Sequence, residues 1–215
     1  MEIDLSTTTD DRDLELSEML CTWICHALVG SVGAMANGLE LLKEDPATHV
    51  ETMALLDFSA MATARRLKFF RAAFGVDGAK GQDGEAVRGL LSDFLAVSRN
   101  AAGAIDVHWP PLPALNRLDP SAFRLILILS LLGMECLPRG GGLDISIAGG
   151  LVIAATGRGA RLETGVAAAL TLTPGAATVR AAPASFVARL ARRLGGRVTT
   201  ESTEGRVVLS VIPQT

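Results

Sequence analysis

The sequence predicts an α+β protein. An N-terminal antiparallel helical hairpin pairs with a second copy into a dimeric four-helix bundle, and a C-terminal α/β sandwich follows. Three observations predict this. Two long stretches, ending near Glu44 and Phe74, carry apolar residues at helical spacing with only a short break at Asp45-Pro46 between them. A polar, glycine-rich run from Gly75 to Gly84 then interrupts the chain. Beyond it, helical patterns alternate with short strand-like runs and the chain ends in paired strands. These features divide the chain into residues 1–76, the helical hairpin, and 84–215, the α/β domain.

The first helix begins near Asp11 or Asp13. Its apolar stripe is Leu20, Ile24, Leu28, Val32, Met35, Leu39 and Leu42. At about 100° per residue, His26, Gly30, Gly33 and Asn37 gather on the opposite face. A glycine inside a helix costs about 1 kcal/mol against alanine, so two beside an outward histidine point to the close approach of another molecule's backbone. Thr48 and Glu51 are spaced as a capping box for the second helix. That helix carries Met53, Leu56, Ala60, Ala64, Leu67 and Phe74 at coiled-coil spacing. A single hairpin cannot cover all of this apolar surface, so a homodimer is expected. His26 stands about twenty residues from the turn, which places it level with about residue 66 of the second helix. Arg65, Arg66, Lys68 and Arg71 cluster there, a basic girdle suited to a phosphate or an acidic partner.

The remaining elements follow local signals. A helix spans Glu85 to Arg99, and a strand from Ile105 to Trp109 is closed by Pro110-Pro111. Asp119 caps a buried helix that has Pro120 in its first turn and runs to Leu137. After a turn at Arg139 to Gly142 come strands Leu143 to Ile147 and Leu151 to Ala155. Helices Leu162 to Leu172 and Ala184 to Leu194 precede a hairpin, Arg197 to Glu201 and Arg206 to Ile212.

Hydrophobic residues make up 49% of the chain and charged residues 20%, enough for a real core and too apolar for disorder. Only 4% are aromatic, so the core reads as aliphatic. A net charge of −3 gives no electrostatic case for nucleic acid or an anionic membrane. The acidic N-terminus lacks a basic leader, and the apolar block Phe123 to Met134 is too short to span a bilayer, so a cytoplasmic protein is expected. Cys21, Cys25 and Cys136 read as small buried hydrophobes, because Cys21, Cys25 and His26 lack a fourth metal ligand and the usual spacing. His49 and His108 have no patterned partner and read as structural.

Cys25-His26, Leu28-Val29-Gly30, Val32-Gly33-Ala34 and Asn37 to Leu42 resemble the first helix of the ChpT-type histidine phosphotransferases. Leu67 to Gly75 resembles the end of the second helix of that family, and Glu135 to Gly141 and Phe186 to Val198 resemble its later segments. The second half also resembles the ATP-binding (Bergerat) fold of histidine kinases. The resemblance implies a homodimeric phosphorelay intermediate. His26 would take a phosphoryl group from an aspartate on the receiver domain of a hybrid histidine kinase and pass it to response regulators. It implies no cofactor of the chain's own, with Mg²⁺ supplied by the partner receiver. The ATP ligands of such kinases are missing: Ser121 to Leu137 contains no asparagine, and Arg158 stands where an acid would be wanted. The domain is therefore expected to be degenerate and to serve docking.

The family usually places an acid directly after the histidine, and here the residue is Ala27. Thr22, one turn earlier, is the candidate to orient the imidazole in its place. Ser31 and Ala36 stand where the family more often has proline and asparagine. These departures leave two other readings, a phosphorylation-dead adaptor that binds receivers and an ATP-dependent histidine kinase. Leu20, Gly30, Gly33, Lys68 and Arg71 are the candidate partner-binding surface.

Overall fold

A computed structural model describes residues 9–44, 48–98 and 103–214. Two helices, α1 (Thr9–Glu44) and α2 (His49–Phe74), form an antiparallel hairpin. Next come α3 (Gly84–Val97), β1 (Ile105–His108), the single-turn α4 (Leu112–Leu115) and α5 (Pro120–Glu135). They are followed by β2 (Gly141–Ser146), β3 (Leu151–Thr156), α6 (Thr164–Leu170), α7 (Ala182–Arg193), β4 (Gly196–Thr203) and β5 (Arg206–Pro213). The mixed helical and sheet class is as expected. The Asp45-Pro46 stop signal and Arg99, the expected end of α3, lie outside the described residues.

The five strands form one sheet in the order β1-β2-β3-β5-β4. β1 and β2 run parallel and every other neighbouring pair is antiparallel. Alternation along the strands decides which face is covered. Leu143, Ile145, Ile153, Ala155, Val207 and Leu209 are buried, while Asp144, Ser146, Thr156 and Arg206 are exposed. α5 lies across the buried face and is itself enclosed from Leu125 to Gly133. Asp119 caps it as expected, accepting from the N–H groups of Ser121 and Ala122 at 2.7 and 2.9 Å. Gly140 and Gly141 make the turn into β2 at φ +75° and +145°, a backbone that side chains disfavour.

Several expectations need correction. Thr48 is the N-cap of α2, but its side chain makes no capping hydrogen bond. Leu112 to Leu115 form a helical turn that the sequence pattern did not signal, because four residues are too few to show a period. The core is not simply aliphatic. Of seven Phe and two Trp, six meet in one cluster: Trp23, Phe69, Phe70, Phe74, Phe94 and Phe186. This cluster joins α1, α2, α3 and α7, so the end of the hairpin shares a core with the α/β half. The Gly75 to Gly84 run is a series of turns with Ala79 buried in it. α1, not the α5 block, holds a segment long and apolar enough to cross a membrane by length and composition, Asp11–Glu44. Cys21 and Cys25 are exposed; only Cys136 is buried, and burial, reinforced by Glu135, pushes its thiol up to about 12.

Two arginines fasten the halves. Arg124 on α5 donates from Nε to the Ala73 carbonyl at 3.1 Å and from Nη2 to the Phe74 carbonyl at 3.3 Å, capping the end of α2. Arg66 on α2 reaches the Ala27 carbonyl on α1 at 3.4 Å and the Val97 carbonyl on α3 at 3.1 Å.

Ser130, inside α5, is fully buried and its hydroxyl has no hydrogen-bond partner among the described residues. Ser130→Ala should therefore stabilise the fold by about 1 kcal/mol, read as a higher urea midpoint at unchanged slope. Glu135 keeps an exposed flank, yet protein crowds its carboxyl. Desolvation raises the pKa to about 7, Arg180 opposes the rise and Glu163 adds to it. The folded state then holds the proton more tightly than the unfolded chain. Stability from this group is full below the ordinary carboxylate range and falls as pH rises toward about 7. Glu135→Gln should flatten that slope in urea melts taken across the same pH range.

Candidate functional site

His26 lies mid-way along α1 and is exposed. Among the described residues no hydrogen bond or ion pair engages its ring. The face beside it is bare: a Cβ built on Gly30 or on Gly33 would meet nothing within 4 Å. Gly30 is exposed and Gly33 half-buried, so His26 borders an open strip of helix backbone.

The flank of α1 beside His26, about 60° to 100° around the helix, is pinned at this level. Trp23, three residues before His26, packs edge-on against Phe70 at 5.3 Å and Phe74 at 5.9 Å between ring centres. Ala27, directly after His26, is packed against the core, and its carbonyl accepts from Arg66. One turn further, Ser31 donates to the Leu28 carbonyl at 3.1 Å and accepts from Thr63 at 3.0 Å. Arg66 also reaches the Ser31 hydroxyl at 3.4 Å. The serine that departs from the family pattern thus helps to seam the hairpin. With Ser31 opposite Thr63 and Trp23 opposite Phe70, His26 stands level with Leu67 and Lys68, close to the expected residue 66.

The four basic residues at that level divide into two kinds. Arg65 pairs with Asp93 on α3 at 3.4 Å, and Arg66 is held by the carbonyls described above. Both have architectural partners. Lys68 and Arg71 are exposed and enter no ion pair among the described residues. Leu20 is half-buried and stands about 120° around the helix from His26, off the bare strip. Thr22 donates its hydroxyl to the Glu18 carbonyl at 2.9 Å. Its proton is committed, so toward the imidazole it can act only as an acceptor.

The α/β half has its own cavities. One, between the end of α5 and the start of α6, is lined by Glu135, Arg161, Glu163 and Arg180 among others. Arg180 crosses to Glu163 at 2.8 Å, so opposite charges face each other there. Missed by sequence reasoning were the Trp23 wedge and the Arg66 tie. Arg66 was visible as a basic residue, but nothing local distinguishes a guanidinium that holds backbone carbonyls from one that faces solvent.

Comparison with known proteins gives a consistent result. The family model for the histidine phosphotransferase C-terminal domain matches residues 86–206, more than half of the 215-residue chain. Protein phosphotransferase ChpT of Brucella abortus (strain 2308) is 35% identical over 139 residues, which is 63% of this chain. The match spans 62% of that relative's length, less than two thirds of it. The solved structure of a bacterial phosphotransferase superposes with a TM-score of 0.73 at 27% identity, covering 98% of this chain and 100% of the other. The chain belongs to the histidine phosphotransferase family defined by that C-terminal domain.

Proposed function

We propose that the chain is a phosphorelay histidine phosphotransferase that carries a phosphoryl group between receiver-domain aspartates on His26. The observation that carries this reading is an exposed imidazole, unengaged among the described residues, beside a helix strip cleared of side chains, in a chain of this family. A neutral ring nitrogen of His26 attacks the phosphorus of an aspartyl phosphate. The N–P bond forms as the P–O bond to the aspartate breaks, and the freed carboxylate leaves with the receiver. Mg²⁺ and most of the charge stabilisation come with the receiver, and the chain's own task is to hold the nucleophile in line. Trp23 and Arg66 support that task by fixing the rotation of α1 around His26. Gly30 and Gly33 leave room for the receiver, and Lys68 and Arg71 offer charge to its acidic face. Thr22 is the acceptor available to the imidazole N–H, the place an acid at position 27 would fill.

The active form in this reading is a cytoplasmic homodimer. Val32 (48% exposed), Leu39 (53%), Met53 (49%) and Leu67 (48%) leave a bare apolar stripe along the hairpin. Between the Trp23 contact and the turn, the seam inside the hairpin has a small residue on at least one side: Gly38 meets Leu56 and Thr52, and Ser31 meets Thr63. Two stripes facing each other would complete a four-helix bundle. The same pairing covers the apolar length of α1 without a membrane. Ala27 favours one other reading, an adaptor that binds receivers without accepting phosphate.

Incubation with a phosphorylated receiver domain should place acid-labile phosphate on the chain, and His26→Ala should abolish it. Unlabelled wild-type protein that still binds the receiver would select the adaptor. Gly30→Leu should leave the melting temperature equal or higher, since leucine favours helix by up to about 1 kcal/mol over glycine and the space is open. The same variant should slow transfer by about tenfold or more by keeping the receiver off His26. Val32→Glu combined with Leu67→Glu should convert the dimer to monomer in sedimentation equilibrium.

A further inference from the structure

The first turns of α1 make contacts that an exposed phosphoacceptor does not itself require. Leu16 is 8% exposed although its sequence neighbours Glu15 and Ser17 are open to solvent. It shares a cavity lining with Leu172, Ser185 and Arg189, from the loop after α6 and from α7. Asp13, three residues earlier and so on the same side of the helix, pairs with Arg189. Leu172 sits at φ +55°, a left-handed backbone that leucine keeps only where its surroundings hold it. An apolar plug, an ion pair and a held loop thus converge where α1 crosses α7.

The geometry points to Leu16, Asp13 and Arg189 as a positioning anchor that holds the α/β half at one angle to the helix bearing His26, so that a receiver meets a prearranged surface. This rests on the histidine phosphotransfer reading. Asp13 is thirteen residues from His26, about 20 Å along the helix. A receiver interface of about 800 Å² on this chain has a radius of about 16 Å, so a receiver centred on His26 stops short of Asp13. Leu16 stands nearer, about 15 Å along the helix, but at 8% exposed it offers a receiver almost no surface. The anchor therefore acts through the arrangement of the two halves and not by touching the reacting groups. Leu16 supplies the burial. The partly exposed ion pair adds direction and only a small energy of its own, as surface pairs do. Holding the halves in place beforehand spares the receiver the ordering cost of binding.

The test uses the full-length chain carrying Asp13→Asn, Arg189→Glu, Leu16→Ala, or the exchanged pair Asp13→Arg with Arg189→Asp. Three quantities are read: small-angle X-ray scattering of the chain alone, affinity for an unphosphorylated receiver domain by calorimetry, and the His26 labelling rate at saturating phosphorylated receiver. The single variants should broaden the scattering-derived shape distribution and weaken affinity by about fivefold, while the saturated rate holds. The exchanged pair should restore both shape and affinity. A lower melting temperature with wild-type scattering and affinity would overturn the anchor and leave these residues merely structural. An exchanged pair that behaves like the singles would overturn the role of the ion pair. Wild-type protein that binds the receiver but takes no phosphate on His26 would overturn the phosphotransfer reading instead, with scattering and affinity still deciding the anchor.

Discussion

The structure turns on the wedge of Trp23 between Phe70 and Phe74. A long helix packed mainly along one partner can roll, and a roll of a few tens of degrees would turn His26 and its bare strip together toward the body of the protein. Trp23 is less than one turn from His26, and its indole is held edge-on by two rings of α2. Those rings are braced in turn, Phe70 by Phe94 of α3 and Phe74 by Phe186 of α7. The orientation of one exposed side chain on α1 thus depends on aromatic contacts contributed by three other helices.

This division of labour explains why the site itself contains so little. In the proposed relay His26 is offered to another protein, and a group so offered cannot be supported by a cage of side chains around it. Support comes from the flank, through Trp23, Ala27 and the Arg66 guanidinium, while the front carries glycine. The same logic runs along the hairpin. Its inner seam is made of Gly38, Ser31, Thr63 and Thr52, which let the helices approach closely. Large apolar residues are gathered at the Trp23 end, and along the rest of the hairpin Val32, Leu39, Met53 and Leu67 remain on the outside.

What could be read from the sequence was whatever is encoded locally. The ends of α1 and α2 near Glu44 and Phe74, the Asp119 cap and the strand alternation all depend on residues within a few positions of one another. The outward face of His26 follows from helical geometry in the same way. What escaped was set by distant partners. Trp23 and Phe186 meet through Phe74, although more than a hundred and sixty residues separate them in the chain. Arg65 and Arg66 are adjacent basic residues with different employments, one facing a carboxylate on α3 and the other two backbone carbonyls. Thr48 has the right identity for a capping box and does not form one. Cys21 and Cys25 sit on a part of α1 that the single chain leaves open, so their apolar character predicted burial that one copy does not provide.

The Arg124 contact bears on how this molecule can be taken apart. The last carbonyls of a helix ordinarily find water, a glycine turn or a nearby lysine. Here those of Ala73 and Phe74 are satisfied by a guanidinium delivered from α5, some fifty positions later in the chain. The hairpin is therefore not a cassette. Cutting the gene in the glycine-rich stretch after Gly75 yields a fragment whose second helix keeps the Gly75 N–H bond to the Arg71 carbonyl but loses the donor to its last two carbonyls. A chimera that grafts the hairpin onto a foreign α/β module keeps this contact only if it supplies an arginine at the corresponding place.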